Sequence, residues 1–447
     1  MVTSREAALD KRPVNTGTIL AYSSLTIPIT AVGVPLGIYL PPLYATELGL
    51  GLATVGLVFM LARVFDVITD PLMGLMVDRF PSRLGRRKHW ILVGTPILLT
   101  AAWFVYLPSP ESGSVVYLIL WLFVLYLGFT LIDVAHKSWG PDLATTYNDR
   151  SRLFGWREAM NICGTIAVLT LPALLSHFKE ADAYDKAEIM GLFLIVSLPI
   201  AVAIIVRFVP DRFGKASTAP SFDLAEVFQS LRNKAIVRVL IAECFIAVGV
   251  GAAGAMFLFV AKWVFNLEDY ASLGLIVFFL SGLIAVAGWV KLSALTSKHI
   301  ALIIASLYSA LGTILYLLVD KEESLAALFG LSAVLGAGFT APQVLVRSML
   351  ADIVDQEQLR SGHNRSGLYF SMMSTVFKLG GAMAVGLSYF VLEQVGFDPA
   401  VANSPNAVNG LLLTFVGIPS FMSLLTAACM LKYPLTKDVH ERIREVL

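Results

Sequence analysis

Ser114-Val115-Val116-Tyr117-Leu118-Ile119-Leu120-Trp121-Leu122-Phe123-Val124-Leu125-Tyr126-Leu127-Gly128-Phe129-Thr130-Leu131-Ile132-Asp133-Val134-Ala135-His136 runs for nineteen residues before its first charged side chain, Asp133. A helix of roughly 20 apolar residues, rising about 1.5 Å per residue, is long enough to cross the hydrocarbon core of a bilayer. The rest of the chain repeats the pattern. Apolar runs fall near 17–43, 51–76, 90–107, 153–176 and 186–209, and again near 236–263, 270–295, 299–319, 323–350, 366–393 and 407–432. Of the 447 residues 57% are hydrophobic and only 15% charged, against about 45–50% and about 25% in soluble domains. The mean hydropathy is +0.76. So few charges cannot cover a soluble protein of this size, which excludes a soluble enzyme, a nucleic-acid binder and a disordered chain. The sequence predicts an all-α polytopic membrane protein with 12 transmembrane helices.

The longest polar break, Pro210 to Lys234, lies near the midpoint. It divides the chain into an N-terminal six-helix bundle (1–209), a central cytoplasmic loop (210–235) and a C-terminal six-helix bundle with a tail (236–447). Within the loop, Asp223 to Leu231 has the mixed spacing of a short interfacial helix. A weak internal echo accompanies this division. Pro141-Asp142-Leu143 precedes Arg150-Ser151-Arg152-Leu153-Phe154-Gly155 after the fourth span, and Ala351-Asp352-Ile353 precedes Arg365-Ser366-Gly367-Leu368-Tyr369 after the tenth. Equivalent positions in the two halves are expected of parallel, pseudo-symmetric six-helix repeats. This layout resembles the major facilitator superfamily, an architectural analogy that does not by itself assign function.

Basic residues set the orientation. Arg79, Arg83, Arg86, Arg87 and Lys88 fall between spans two and three. Others sit at Arg150, Arg152, Arg212, Lys215, Arg232, Lys234, Lys291, Lys298, Arg360 and Arg365, and in the tail, whereas the opposite loops hold Lys179, Lys186, Lys262 and Lys321. By the positive-inside rule a bias of about five-fold places both termini in the cytoplasm. The polar stretch Met1 to Thr16 reads as a cytoplasmic tail, without the apolar run of a cleavable signal. The net charge of +1 offers no charged arm. Cys163, Cys244 and Cys429 all lie in apolar stretches, as buried small hydrophobes without metal or disulfide spacing.

Ionisable groups at bilayer depth are costly and mark functional sites. Span two contains Arg63-Val64-Phe65-Asp66-Val67-Ile68-Thr69-Asp70-Pro71. Positions i, i+3, i+4 and i+7 share a helix face, so Arg63, Asp66 and Asp70 line one stripe with an excess of negative charge. Pro71 frees the carbonyl of Val67. Carboxylate and carbonyl oxygens suit a hard cation, and close carboxylates can instead share a proton; an interhelical salt bridge is the plainer alternative. Lys378, deep in span eleven, needs a counter-ion, with Asp66, Asp70 and Asp133 as candidates. Asp133 and the following His136, Lys137, Ser138 and Trp139 read either as part of a site or as a snorkelling helix end. Glu243 reads as structural, within reach of Arg238 or Lys234. Glycine and proline interrupt spans one (Pro28, Gly33, Pro35, Gly37, Pro41, Pro42) and ten (Gly336, Gly338, Pro342), either to bend helices around a cavity or to let helices pack closely.

The stretch Ala62 to Gly74 with Asp78-Arg79, Asp133 through Pro141, Arg157, Ser348-Met349-Leu350-Ala351-Asp352-Ile353-Val354-Asp355 and Lys378 resembles the glycoside-pentoside-hexuronide:cation symporter family, whose best-known member is melibiose permease. The resemblance implies a cation and coupling site at Asp66 and Asp70, with Arg63 beside them and Lys378 tuning them. It implies substrate binding by Asp133 and Arg157, joined as candidates by Lys137, Trp139 and Tyr22. Asp78, Arg79, Arg86 and Arg87 form the candidate conformational loop. The family's span-one acid is absent, since Leu25-Thr26-Ile27-Pro28-Ile29-Thr30 offers only hydroxyls, and Lys137 replaces an aromatic of its span-four sugar platform. The function implied is Na+- or H+-coupled symport of a sugar or glycoside by alternating access. It would use no cofactor or metal beyond the coupling ion, in a monomer in the bacterial inner membrane. An exporter or lysolipid-type transporter and a transport-inactive sensor are the alternatives. No nucleophile-base set, metal spacing or phosphate loop supports an enzyme.

Overall fold

The computed structural model describes residues 14–80, 82, 84–109, 113–143, 147–178, 181–211, 230–318, 324–361 and 366–434. Among them, twelve helical segments are long and apolar enough to cross a membrane. The first is assembled from α1 (Thr16–Ser24) and α2 (Thr26–Ile38). Then come α3 (Leu52–Arg79), α4 (Lys88–Tyr106), α5 (Val115–Leu143), α6 (Tyr147–Phe178) and α7 (Ala183–Phe208). The second set is α8 (Lys234–Trp263), α9 (Ala271–Leu295), α10 (Lys298–Ile314), α11 (Leu325–Ser361), α12 (Ser366–Gln394) and α13 (Pro405–Met430). Large apolar side chains stay exposed on these helices, Phe178 by 82%, Ile284 by 77% and Val116 by 74%. In water such faces would aggregate; in a bilayer they meet lipid.

Side-chain caps satisfy the first amides of several helices. Asn15 accepts from Gly17 N, Asp182 from Asp185 N, Asn233 from Ala235 N and Ser404 from Ala407 N. The first span is interrupted as its prolines require. The helix breaks at Leu25 and Tyr39, then continues through Leu40–Pro42 into a π-turn at Leu43–Glu47. Pro35 has no amide hydrogen for the carbonyl of Ala31. The hydroxyl of Tyr106 donates there instead, shared between Ala31 O at 3.4 Å and Val32 O at 3.3 Å.

The glycines of span ten do something else. α11 runs unbroken from Leu325 to Ser361. A Cβ on Gly336 would stand 2.0 Å from Phe278 O, and one on Gly338 2.6 Å from Ser309 Oγ. These glycines admit α9 and α10 to close packing, the second of the two roles the sequence left open for them.

The chain forms two compact units, Met1–Leu50 with Phe65–Pro220, and Gly51–Val64 with Ser221–Leu447. In the first, α2 packs on α6 and α7, and α4 on α5 and α7. In the second, α8 packs on α12 and α13, and α10 on α11 and α13. The same pairing therefore recurs six spans later, as a duplicated bundle requires. The beginning of α3 packs within the second unit, where a Cβ on Gly56 would meet Tyr389 Cβ at 3.0 Å. The tails and the central segment, including Asp223 to Leu231 except for its last two residues, lie outside the described residues. Cys163 departs from expectation, being exposed on α6 rather than buried; Cys244 and Cys429 are partly buried.

Candidate functional site

The second half of α3 brings Asp66 into the first unit, where it is 0% exposed. Two interactions fix that part of the helix. Phe65 stacks on Phe123 of α5 with ring centroids 4.7 Å apart, and the Thr69 hydroxyl donates back to the carbonyls of Phe65 and Asp66. Thr130 of α5 donates to Asp66 Oδ1 at 2.7 Å. At that length the bond fixes the orientation of the carboxyl group. Asp70 follows one helical turn later and is partly buried, and α3 continues through position 71 as helix. Arg63 falls in the part of α3 that belongs to the second unit, as does the partly buried Lys378 on α12.

One stripe of α5 carries the next residues. Thr130, Asp133 and Lys137 are spaced i, i+3 and i+7 and share a face. Asp133 is buried, and its Oδ2 receives Lys137 Nζ at 2.6 Å. The lysine side chain is half exposed. Asp133, one of three acids considered for Lys378, is thus committed at least to Lys137.

His136 and Trp139 are both 0% exposed, and α5 extends to Leu143. This overturns their reading as a snorkelling helix end. They are packed against Tyr22 of α1. The Tyr22 hydroxyl donates to His136 O at 2.7 Å, His136 Nε2 donates to Tyr22 O at 2.9 Å, and the rings lie 4.2 Å apart. Because a carbonyl only accepts, that second bond assigns the proton to Nε2 and leaves Nδ1 as an acceptor. Trp139 meets Tyr22 edge-on at 6.5 Å.

Around this pair, several buried polar atoms have no protein partner among the described residues: Ser23 Oγ and Thr26 Oγ1 from the first span, His136 Nδ1, Trp139 Nε1 and Arg157 Nε. Arg157, on α6, forms no ion pair among the described residues. One turn further along α6, Asn161 accepts from Thr30 at 2.7 Å and donates to the exposed Glu158 at 3.2 Å. Buried polar groups are nearly always paired, so this concentration of free donors and acceptors is what a polar solute would satisfy. The first span contributes the hydroxyls of Ser23, Thr26 and Thr30 here. Thr130 and Asn161 were not singled out in the sequence, though each lies one helical turn from a residue that was.

The loop between α3 and α4 is built on Asp211, at the end of α7. Its Oδ2 accepts from Arg87 N at 2.8 Å and Lys88 N at 3.0 Å, capping α4. Gly85, at φ +120, passes directly beneath that carboxylate. Arg87 is buried at 4% exposure, Arg86 is partly buried and Arg79 is exposed; the side chain of Asp78 lies outside the described residues.

Comparison with known proteins agrees with this architecture. Residues 21–437 match the MFS/sugar transport protein family. A putative glycoside/cation symporter of Escherichia coli, YagG, is 26% identical over 81% of this chain and 79% of its own. Sodium-dependent lysophosphatidylcholine symporter 1 of Xenopus tropicalis is 22% identical over 91% of this chain and 83% of its own. The crystal structure of the nucleoside transporter NupG shares the fold at a TM-score of 0.70, with 13% identity over 94% of this chain and 100% of its own.

Proposed function

The chain belongs to the MFS/sugar transport protein family, and from that premise we propose that it is a cation-coupled symporter, a transporter rather than an enzyme, carrying a sugar or glycoside by alternating access. The observation that carries this reading is Asp66. A carboxylate with no exposure inside a membrane span is costly unless it serves a ligand. Here it is oriented by the Thr130 hydroxyl at 2.7 Å, with Asp70 one turn away. Na+ or H+ is the ion that such oxygens would take. Arg63, one turn earlier on the same helix, would set the balance of charge around it.

Asp133, Lys137, Arg157, Tyr22 and Trp139 would receive the solute. The common α5 face of Thr130, Asp133 and Lys137 joins the two sites mechanically, because a shift of α5 that serves one must be felt by the other. Coupling of this kind is typically about 1–3 kcal/mol. The distribution of lysine and arginine supports a plasma-membrane protein with both termini in the cytoplasm.

The test is uptake of labelled glycosides into proteoliposomes with and without an Na+ or H+ gradient. Asp66→Asn and Asp70→Asn should each abolish ion-driven accumulation while inserting normally. Ordinary ion-stimulated accumulation in both would refute the assignment. One observation favours a second reading. A guanidinium without an ion pair, facing a first span that offers only hydroxyls, also suits an anionic headgroup. Lysolipids therefore belong in the same uptake screen.

A further inference from the structure

Glu243 is a buried acid that neither the cation site nor the solute site employs. It stands on α8, nine residues from Lys234, or about 14 Å along the axis at about 1.5 Å per residue. It is 1% exposed. Its neighbours Val239, Leu240, Ala242 and Ile246 belong to the apolar core of the second unit. Neither expected partner meets it: Arg238 Nη1 donates instead to Leu431 O at 2.8 Å and Lys432 O at 2.6 Å, and Lys234 is exposed. Among the described residues no donor serves Glu243, and Oε2 is sealed from solvent without a hydrogen bond.

Two cations stand on the helices packed against this level of α8: Arg347 on α11, whose neighbours Leu345, Val346 and Met349 share the core of Val239, Ala242 and Ile246, and Lys378 on α12, where Gly380 lies against Cys244 O. Neither is paired with Glu243 among the described residues. Arg347 is exposed, although it lies within the span Leu325–Val354, seven residues from its Val354 end. A guanidinium at that depth is reached by water or snorkels to it. The arrangement is a carboxyl with a buried, unbonded oxygen and an exposed cation on the neighbouring helix.

We propose that Glu243 is a proton-binding site: in the packing seen here the carboxyl holds a proton, and it releases that proton to water when Arg347 closes on the carboxylate. An ionised carboxylate without a single hydrogen bond at this depth is far costlier than a neutral acid. The O–H bond broken is exchanged for an ion pair, the proton passes to water beside Arg347, and the local charge falls from +1 to zero. Binding of the proton and the position of α11 are then linked, because only one arrangement of the helix accommodates each charge state. The site is separate from Asp66 and Asp70 and operates whichever ion they take. It does not rest on the identity of the solute.

The test is infrared difference spectroscopy of the full-length protein in proteoliposomes, titrated with pH in light and heavy water, with no solute added. Wild type should show a carboxylic-acid C=O band, shifted in heavy water, that disappears as pH rises. Glu243→Gln should remove that band, and Glu243→Asp should restore one. Arg347→Gln should let the band persist to higher pH by about one unit or more, since the cation that replaces the proton is gone. Identical spectra for wild type and Glu243→Gln across the titration would overturn the proposal. Should Glu243→Gln fail to fold, an Arg347→Gln spectrum with no displaced carboxylic band would overturn it as well.

Discussion

Replacing Gly85 by alanine should damage the loop between α3 and α4 in two distinguishable ways. The backbone at Gly85 has φ +120, a region nearly closed to residues with a Cβ; forcing one there costs about 1–3 kcal/mol. The new methyl would also lie 2.1 Å from Asp211 Oδ2 and 2.5 Å from its Cγ, so the carboxylate must leave. It then abandons the amides of Arg87 at 2.8 Å and Lys88 at 3.0 Å. Hydrogen bonds to a charged group contribute about 1.5–3 kcal/mol each, of which water at this partly buried site would restore about half. Gly85→Ala should therefore destabilise the protein by roughly 3–5 kcal/mol in total. Asp211→Ala loses only the two bonds and should cost roughly 1–3 kcal/mol. The double variant tests the geometry directly. With Asp211 removed the methyl has room and no further bonds are left to lose, so the pair should be no less stable than Gly85→Ala alone. Apparent melting temperatures of the purified variants in one detergent provide the measurement. A double variant that falls by the sum of the two single effects would refute the reasoning.

Other outcomes follow from single interactions. Thr130→Val keeps the side-chain shape but deletes the hydroxyl that orients Asp66, and the ion concentration for half-maximal stimulation of uptake should rise about tenfold, the equivalent of about 1.4 kcal/mol; an unchanged value would remove Thr130 from the site. Arg157→Gln should weaken glycoside binding about tenfold or more while the thermal stabilisation by the coupling ion persists. Loss of both responses together would mean that Arg157 holds the fold rather than the solute. Tyr22→Phe removes a buried bond to His136 O and should cost about 1 kcal/mol of stability, read by melting temperature; a variant as stable as wild type would contradict this. In the second unit, Lys298 Nζ bridges both Asp352 oxygens at 2.6 and 2.7 Å. Because the pair is partly exposed, Lys298→Met should cost about 1 kcal/mol, most of it recovered by adding Asp352→Asn. Equal instability of the single and double variants would argue against that pairing.

The run from Ser114 to His136 was legible as a membrane span, but its true end was not. α5 continues to Leu143 because His136 and Trp139 are buried on Tyr22, a partner more than a hundred positions earlier. Local sequence showed a histidine and a tryptophan after an aspartate, which suits a helix emerging into water equally well. The breaks in span one were legible, since proline removes a donor wherever it stands. For the glycines of span ten the sequence left bending and close packing both open, because a missing Cβ has meaning only when the neighbour is known, and here the neighbours are Phe278 and Ser309. The partner expected for Glu243 was misplaced for the same reason. Arg238 is near it along the helix, yet tertiary packing directs that guanidinium to the carbonyls of Leu431 and Lys432.

The sequence by itself determined that the protein is a twelve-span membrane protein and which ionisable residues are anomalous. Both are local sums: a bilayer tests about 20 consecutive residues at a time and penalises each charge within them. Only the tertiary structure decided what those residues do for one another. Thr130 reaches Asp66 across 64 positions, and Asp211 reaches Arg87 across 124. A hydrogen bond is made or lost within a few tenths of an ångström, and that precision comes from helix packing, not from spacing along the chain.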